Sequence, residues 1–332
     1  MSDWTAADLP EMDGDRVVVT GANSGIGKEA TRAFARAGAE VTLACRSVDR
    51  GEDAVRDVRG ADGSVRGELV VRELDLADLS SVRAFADEWT GPIDVLCNNA
   101  GVMAIPRTET VDGFETQFGV NHLGHVALTG LLLDHVRAAD GESRIVTQSS
   151  GLHERGRIDF DDLHGEHEYD KWDAYAQSKL ANVLFGYELD RRLDAAGVDD
   201  VTSVVCHPGY AATNLQRRGP EAEGSELRAL LMRVANTVFA QSAERGAWPL
   251  LYAATEPTLS GGEYVGPGGL LDMRGSPEVQ RSSDRSYREN DAERLWTVSE
   301  ELTGVSFGLG DGTGAAASDG SDRSDASADA DD

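Results

Sequence analysis

Short runs rich in β-branched residues alternate along this chain with longer stretches whose apolar residues recur at helical spacing, which predicts strands and helices in turn. Arg16–Thr20, Glu40–Cys45, residues 68–74, Ile93–Cys97, Arg144–Gln148, Val201–Cys206 and a last run around Gly262–Val265 read as strands. Lys28–Ala37, a segment starting near Leu79, a long amphipathic stretch between Thr110 and Arg137, Asp173–Asn182, Ala243–Ala254 and Ala292–Leu302 read as helices. Near-continuous apolar strands separated by helices suit a sheet covered on both faces. The expected fold class is therefore α/β: a doubly wound parallel sheet of about seven strands, with helices on both faces and a ligand crevice at the carboxyl ends of the strands.

With 332 residues, 40% of them hydrophobic, the chain is long enough for a substantial core, and one domain over residues 1–308 is expected. Beyond Gly308 the composition shifts: residues 309–332 hold seven Asp, one Arg and almost no apolar bulk, which reads as a disordered acidic tail without a catalytic role. Lys and Arg total 31 against 59 Asp and Glu, and the formal charge of −28 argues against nucleic acid or anionic membranes as partners. Without the tail the charge is still −22, so the acidity belongs to the body as well. Lysine occurs only at positions 28, 171 and 179. Such a surface suits high internal salt, where a Debye length of about 3 Å at ~1 M relieves self-repulsion, and a halophilic source is the expectation. Cys45, Cys97 and Cys206 lie in apolar runs without paired spacing, so they read as reduced and buried, and the protein as cytoplasmic. Neither the acidic N-terminus nor Leu131-Leu132-Leu133 supplies an export signal or a membrane span.

The first strand runs into Gly21-Ala22-Asn23-Ser24-Gly25-Ile26-Gly27 and then a helix. Glycines let the backbone turn tightly and approach a ligand, and a helix N-terminus offers free N–H groups and a positive dipole end to a pyrophosphate. Dinucleotide binding is thus preferred over a plain tight turn, although the spacing is Gly-x-x-x-Gly-x-Gly. Where an acidic residue after the second strand would bond ribose hydroxyls, this chain has Arg46, whose planar fork suits a 2′-phosphate. NADP(H) is favoured, with NAD(H) the alternative if Arg46 is a solvated loop residue. Asp75-Leu76 follow the third strand, and Asp75 either accepts a bond from an adenine amine or caps the helix near Leu79. Asn98-Asn99-Ala100-Gly101 follow the fourth and suit a backbone packed against a ribose, or a plain turn.

Ser149-Ser150 end the fifth strand, where a hydroxyl can bond a carbonyl oxygen and stabilise charge developing on it. Tyr175 and Lys179, four residues apart, share one helical face. An ammonium beside a phenol favours phenolate and lowers a pKa of about 10, which makes the pair a candidate general acid/base. His164-x-x-His167, with His153 nearby, lacks a convincing further ligand set among Asp161, Asp162, Glu166 and Glu168, and no metal is expected.

Together, Thr20-Gly21-x-x-x-Gly25-x-Gly27, Asn98-Asn99-Ala100-Gly101, Asn121, Ser150, Tyr175-x-x-x-Lys179 and Pro208-Gly209 resemble the short-chain dehydrogenase/reductase family and its Rossmann fold, over roughly residues 14–305. Asn121-His122-Leu123-Gly124-His125, Ser178–Asn182 and His207-Pro208-Gly209 look like the branch containing retinol dehydrogenases, WW-domain oxidoreductases and protochlorophyllide reductases. The twenty-four residues between Ser150 and Tyr175 match an insertion of that branch. The resemblance implies interconversion of a carbonyl and an alcohol by hydride transfer. In it Ser150 holds the substrate oxygen, Tyr175 is general acid/base, Lys179 lowers the tyrosine pKa and bonds the nicotinamide ribose, and Asn121 holds a water on the proton path. It also places Pro208, Gly209 and Thr213 beside the nicotinamide and a substrate lid around residues 214–238. The implied partner is an apolar small-molecule carbonyl or alcohol, and relatives often form homodimers or homotetramers. A carbon–carbon double-bond reductase of the same family and a catalytically silent NADP-binding sensor or interaction protein are the rival readings.

Overall fold

A computed structural model of the chain describes residues 4–60, 63–209, 242–269 and 275–309. One sheet holds β1 (Arg16–Thr20), β2 (Glu40–Cys45), β3 (Leu69–Glu73), β4 (Val95–Asn98), β5 (Ser143–Gln148), β6 (Val201–Cys206), β7 (Tyr264–Pro267) and β8 (Pro277–Gln280), in the order β3-β2-β1-β4-β5-β6-β7-β8. The first seven strands are parallel, as expected, and β8 pairs antiparallel with β7. The sequence reading passed over β8, a four-residue edge strand that opens on a proline and has little apolar patterning.

The helices are α1 (Gly25–Ala37), α2 (Val48–Gly60), α3 (Leu79–Asp87), α4 (Thr116–Phe118), a π-helical turn (Gly119–Leu123), α5 (Gly124–Val136), α6 (Lys171–Ala195), α7 (Ala243–Thr255) and α8 (Glu289–Thr303). Successive strand residues point to opposite faces, so each apolar run feeds two cores. Val17 and Val19 of β1 pack with Phe34 of α1, Val58 of α2 and Leu250 of α7. Val18 between them packs with Phe85 of α3, Leu132 of α5 and Leu189 of α6. A fully buried side chain of this size contributes about 1.5–3 kcal/mol, and Phe34, Leu43, Leu96 and Ile145 are fully buried. The chain builds outward from β1 to β3 and then crosses back to place β4 against β1. This reversal opens the crevice at the strands' carboxyl ends.

Three local expectations are corrected. Thr110 to Arg137 is not one helix: the Thr110 N–H bonds the Phe114 carbonyl (2.8 Å) in a turn with Gly113 at φ 85°. Helix begins only at Thr116, where the buried Glu115 carboxylate accepts from the N–H groups of Gln117 and Phe118. Asp78, rather than Asp75, caps α3 by accepting from the N–H groups of Ser80 (2.8 Å) and Ser81 (3.4 Å). Leu309, read as the start of the tail, is buried against α8 and the sheet. The rest of that tail, the lid around residues 214–238 and Thr213 lie outside the described residues. Cys45, Cys97 and Cys206 are free and buried. Among the described residues no helix is long and apolar enough to cross a membrane.

Candidate active site

A cavity of about 700 Å³ lies at the carboxyl ends of β1, β2, β4 and β5. At one end it is lined by Gly21, Asn23, Ser24, Gly25, Ile26 and Gly27. Gly21 has φ 67°, and a Cβ there would lie 3.0 Å from Ala100, so the glycine loop and the Asn99–Gly101 turn nest with no room for a side chain. α1 starts at Gly25, and the Ser24 side chain makes no capping bond. Its first N–H groups therefore face the cavity without a side-chain acceptor of their own, an arrangement that fits an anionic pyrophosphate. Arg46 lines the outer wall, and with it Arg50, which the sequence reading missed although it stands one helical turn further on. The Asn23 carboxamide oxygen accepts from Arg50 Nε (3.3 Å) and Nη2 (3.2 Å), with the amide oriented by these bonds.

Asp75, Leu76, Asn99, Ala100 and Gly101 also line the cavity, and the Asp75 carboxylate accepts from the Ala77 N–H (3.0 Å). Asn98 does not join them: it is wholly buried and its amide donates to Thr129 Oγ1 (2.9 Å) on α5. Strand alternation turns it to the opposite side from Asn99, so the expected ribose contact at Asn98 is corrected to a packing role. At the other end of the cavity Pro208 and Gly209 follow β6, with Gly209 at φ 61°.

The catalytic candidates meet on α6 and β5. Asp170 caps α6 by accepting from the N–H groups of Trp172 (2.8 Å) and Asp173 (3.0 Å). This start aims Tyr175 and Lys179, one turn apart, at the end of β5. Lys179 Nζ lies 5.9 Å from the Tyr175 ring centroid and donates to the Gln148 carbonyl (3.0 Å), and both residues are buried. Ser149 Oγ donates to the Lys179 carbonyl (2.8 Å), tying helix to strand, while Ser150 faces the cavity. Burial pushes the Tyr175 phenol up to about 12, against a smaller downward pull from its hydrogen bond to Ser150. Burial likewise lowers the Lys179 ammonium to about 8. The expectation that Lys179 lowers the tyrosine pKa is thus reversed in the protein alone, because desolvation disfavours both charged forms.

Asn121 sits on the π-helical turn, fully buried behind the cavity wall. Its carboxamide accepts from the Val102 N–H (2.7 Å) and donates to the Val102 carbonyl and to Ser178 Oγ, both at 2.9 Å. Gly101 separates it from the lysine: a Cβ there would lie 3.1 Å from Asn121 Oδ1 and 3.6 Å from Lys179 Nζ. Of the histidines weighed as ligands, His164 stacks on Phe114 (5.7 Å between centroids), and His167 is exposed beside Asp162. His153 sits under the Ser150 turn, donating through Nδ1 to the Ser150 carbonyl (2.8 Å). The sequence reading also missed Met103, Leu152, Trp172, Tyr264 and Gln280, which line the end beyond Tyr175. They come from five separate segments, and no local motif marks them.

A doubly wound sheet whose reversal point carries a glycine loop, an uncapped helix and a cavity-lining Ser–Tyr–Lys group defines an oxidoreductase of the dinucleotide-binding α/β class. The short chain dehydrogenase family model matches residues 15–224. Polyprenol dehydrogenase of Mus musculus is 43% identical over 310 residues, covering 92% of this chain and 88% of that protein. Retinol dehydrogenase 14 of Mus musculus is 41% identical over 308 residues, covering 89% and 87%. The crystal structure of an uncharacterised protein from Mycobacterium paratuberculosis superposes with a TM-score of 0.76 at 44% identity, covering 92% of this chain and 99% of that one. The chain belongs to the short-chain dehydrogenase/reductase family, nicotinamide-dinucleotide oxidoreductases that act on CH–OH and C=O groups of small molecules.

Proposed function

We propose that the protein is an NADP(H)-dependent oxidoreductase that interconverts a carbonyl and an alcohol on an apolar small molecule. One observation carries this reading: the half-buried Ser150 and the buried Tyr175 and Lys179 share a cavity with the open N-terminus of α1, and two arginines, Arg46 and Arg50, stand at its outer end. The glycine loop and the first turn of α1 hold the pyrophosphate, Asp75 and Leu76 flank the adenine, and Arg46 with Arg50 pairs with the 2′-phosphate. When bound, the nicotinamide supplies or takes the hydride.

Ser150 holds the substrate oxygen by its hydroxyl. Tyr175, kept protonated at neutral pH because burial raises its pKa to about 12, is a loaded proton donor toward that oxygen in the reducing direction. Lys179 bonds the nicotinamide ribose and, lowered to about 8, is poised to exchange protons near neutrality. Asn121 Oδ1 and Lys179 Nζ both face Gly101, where a side chain would crowd them, and this supports a place for Asn121 on the proton path. Met103, Leu152 and Trp172 favour an apolar substrate body, and relatives named for polyprenol and retinol support the same class.

Titration with NADPH and NADH tests the cofactor assignment, followed by a panel of apolar aldehydes and ketones with product analysis that separates C=O from C=C reduction. Tighter binding of NADPH and alcohol products are expected; a folded protein that binds neither nucleotide would overturn the reading. The reductive kcat is expected to fall as pH rises through about 8, because Lys179 is protonated below that value and neutral above it. A rate that stays flat across that range removes Lys179 from the proton path.

A further inference from the structure

Two histidines in the Asn121–His125 segment take no part in the chemistry above. His122 is packed between Phe118 and Phe185 and pairs with Ser299 on α8 (2.9 Å). His125 is different, because both of its ring nitrogens contact the site. It is 1% exposed, Nδ1 lies 3.0 Å from the main-chain oxygen of Asn121, and Nε2 lies 2.9 Å from Thr20 Oγ1.

The direction of these bonds follows from the groups present. A carbonyl only accepts, so Nδ1 carries the proton and donates to Asn121. In the neutral ring Nε2 is then a lone pair, and the Thr20 hydroxyl donates to it. Burial holds the ring neutral by drawing its pKa down to about 4, and the Lys179 charge adds to the same effect. Thr20 Oγ1 in turn accepts from the N–H groups of Asn99 and Ala100, each at 2.9 Å. One imidazole therefore connects the residue before the glycine loop, the turn after β4, and the π-helical turn that carries Asn121. The π-helical turn lacks regular α-helical pairing, so a fixed side-chain donor to its carbonyl sets its position.

We infer that His125 is a positioning residue, a buried strut that holds the cofactor-binding turns and the Asn121 proton path in one register. This rests on the function proposed above. The family match does not supply it; the two-sided hydrogen bonding does.

The two ends of the ring can be tested separately. His125→Asn places an amide nitrogen where Nδ1 lies and keeps the donor to Asn121 but loses Thr20. His125→Gln reaches the Nε2 position and keeps Thr20 but loses Asn121. Losing one such bond corresponds to about a tenfold effect. We expect His125→Gln to lower kcat at saturating NADPH about tenfold with affinity kept, and His125→Asn to weaken NADPH binding about tenfold with kcat kept. Two variants that both match wild type, or that lose kcat and affinity in parallel, would overturn the strut. If neither folds, Thr20→Val breaks the same bond from its other end, and unchanged NADPH affinity there overturns it. If wild type itself binds no nucleotide, the proposed function fails on its own. The strut is then read in the protein alone: amide exchange at Asn99 and Ala100 should be faster in His125→Asn, and equal exchange overturns it.

Discussion

The nucleotide end and the substrate end of the cavity are built from different kinds of structure. The nucleotide end comes from turns that each follow a parallel strand, and its working groups are main-chain N–H groups, glycines and two arginines within five residues of each other. The substrate end is assembled from distant segments by side chains. Ser283 donates its N–H to His153 Nε2 (3.1 Å), which leaves Nδ1 to bond the Ser150 carbonyl. The Tyr264 ring stacks on His207 (5.2 Å between centroids, 8° between planes), and His207 reaches Gln280 on β8 (3.1 Å). A backbone-built site is encoded where it stands in the chain, while a side-chain-built site depends on which remote segments the sheet brings together.

If the two ends are separable in this way, Tyr175→Phe should remove about a thousandfold in kcat, within the range of general acid catalysis, and leave NADPH affinity nearly unchanged. Parallel steady-state and nucleotide-titration measurements check this, and an equal loss in both would mean that the ends are not independent. The segment behind the cavity wall carries, beside Asn121, the buried His122 and His125, whose pKa values burial lowers to about 3 and about 4 from the ordinary 6.5. Below the ordinary value the unfolded chain takes up protons that the folded chain refuses. Stability is therefore full above that value and is lost as pH falls, by about 2 kcal/mol per histidine at about pH 5. Denaturant unfolding at neutral and acid pH measures it, and equal midpoints would show that this segment is not held by neutral imidazoles.

Smaller effects sharpen the contrast. Arg46→Ala and Arg50→Ala should each weaken NADPH about tenfold and leave NADH unaffected, since a lost charge-assisted bond is felt only by the cofactor that carries the phosphate. Equal weakening of both nucleotides would move these arginines from phosphate recognition to folding. Trp172→Ala, at a residue 39% exposed on the opposite rim, should raise KM for an apolar substrate about threefold and leave NADPH affinity alone. An unchanged KM would take Trp172 out of the substrate end.

Much of this molecule is legible in one sequence. β1, β2 and β6 fall where short β-branched, apolar runs place them, and the glycine loop, Arg46, Ser150, Tyr175 and Lys179 all reach the cavity. β-branched runs and glycine backbone freedom are local properties, and a helical spacing of four puts two side chains on one face wherever the helix lies. Other outcomes needed the fold. Asn98 and Asn99 are neighbours in sequence, yet one bonds Thr129 in the core and the other lines the cavity, because the strand's last pleat separates them. β8 exists because β7 offers it an edge, not because its own residues favour a strand. The sequence by itself determined the positions of the central strands, the nucleotide loop and the spacing of the catalytic pair, since each rests on patterns within a few residues. Only the tertiary structure decided that burial would raise the Tyr175 pKa, that His125 would join Thr20 to Asn121, and which remote side chains would close the substrate end. Desolvation and long-range hydrogen bonding depend on everything packed around a group, and no window of sequence contains that.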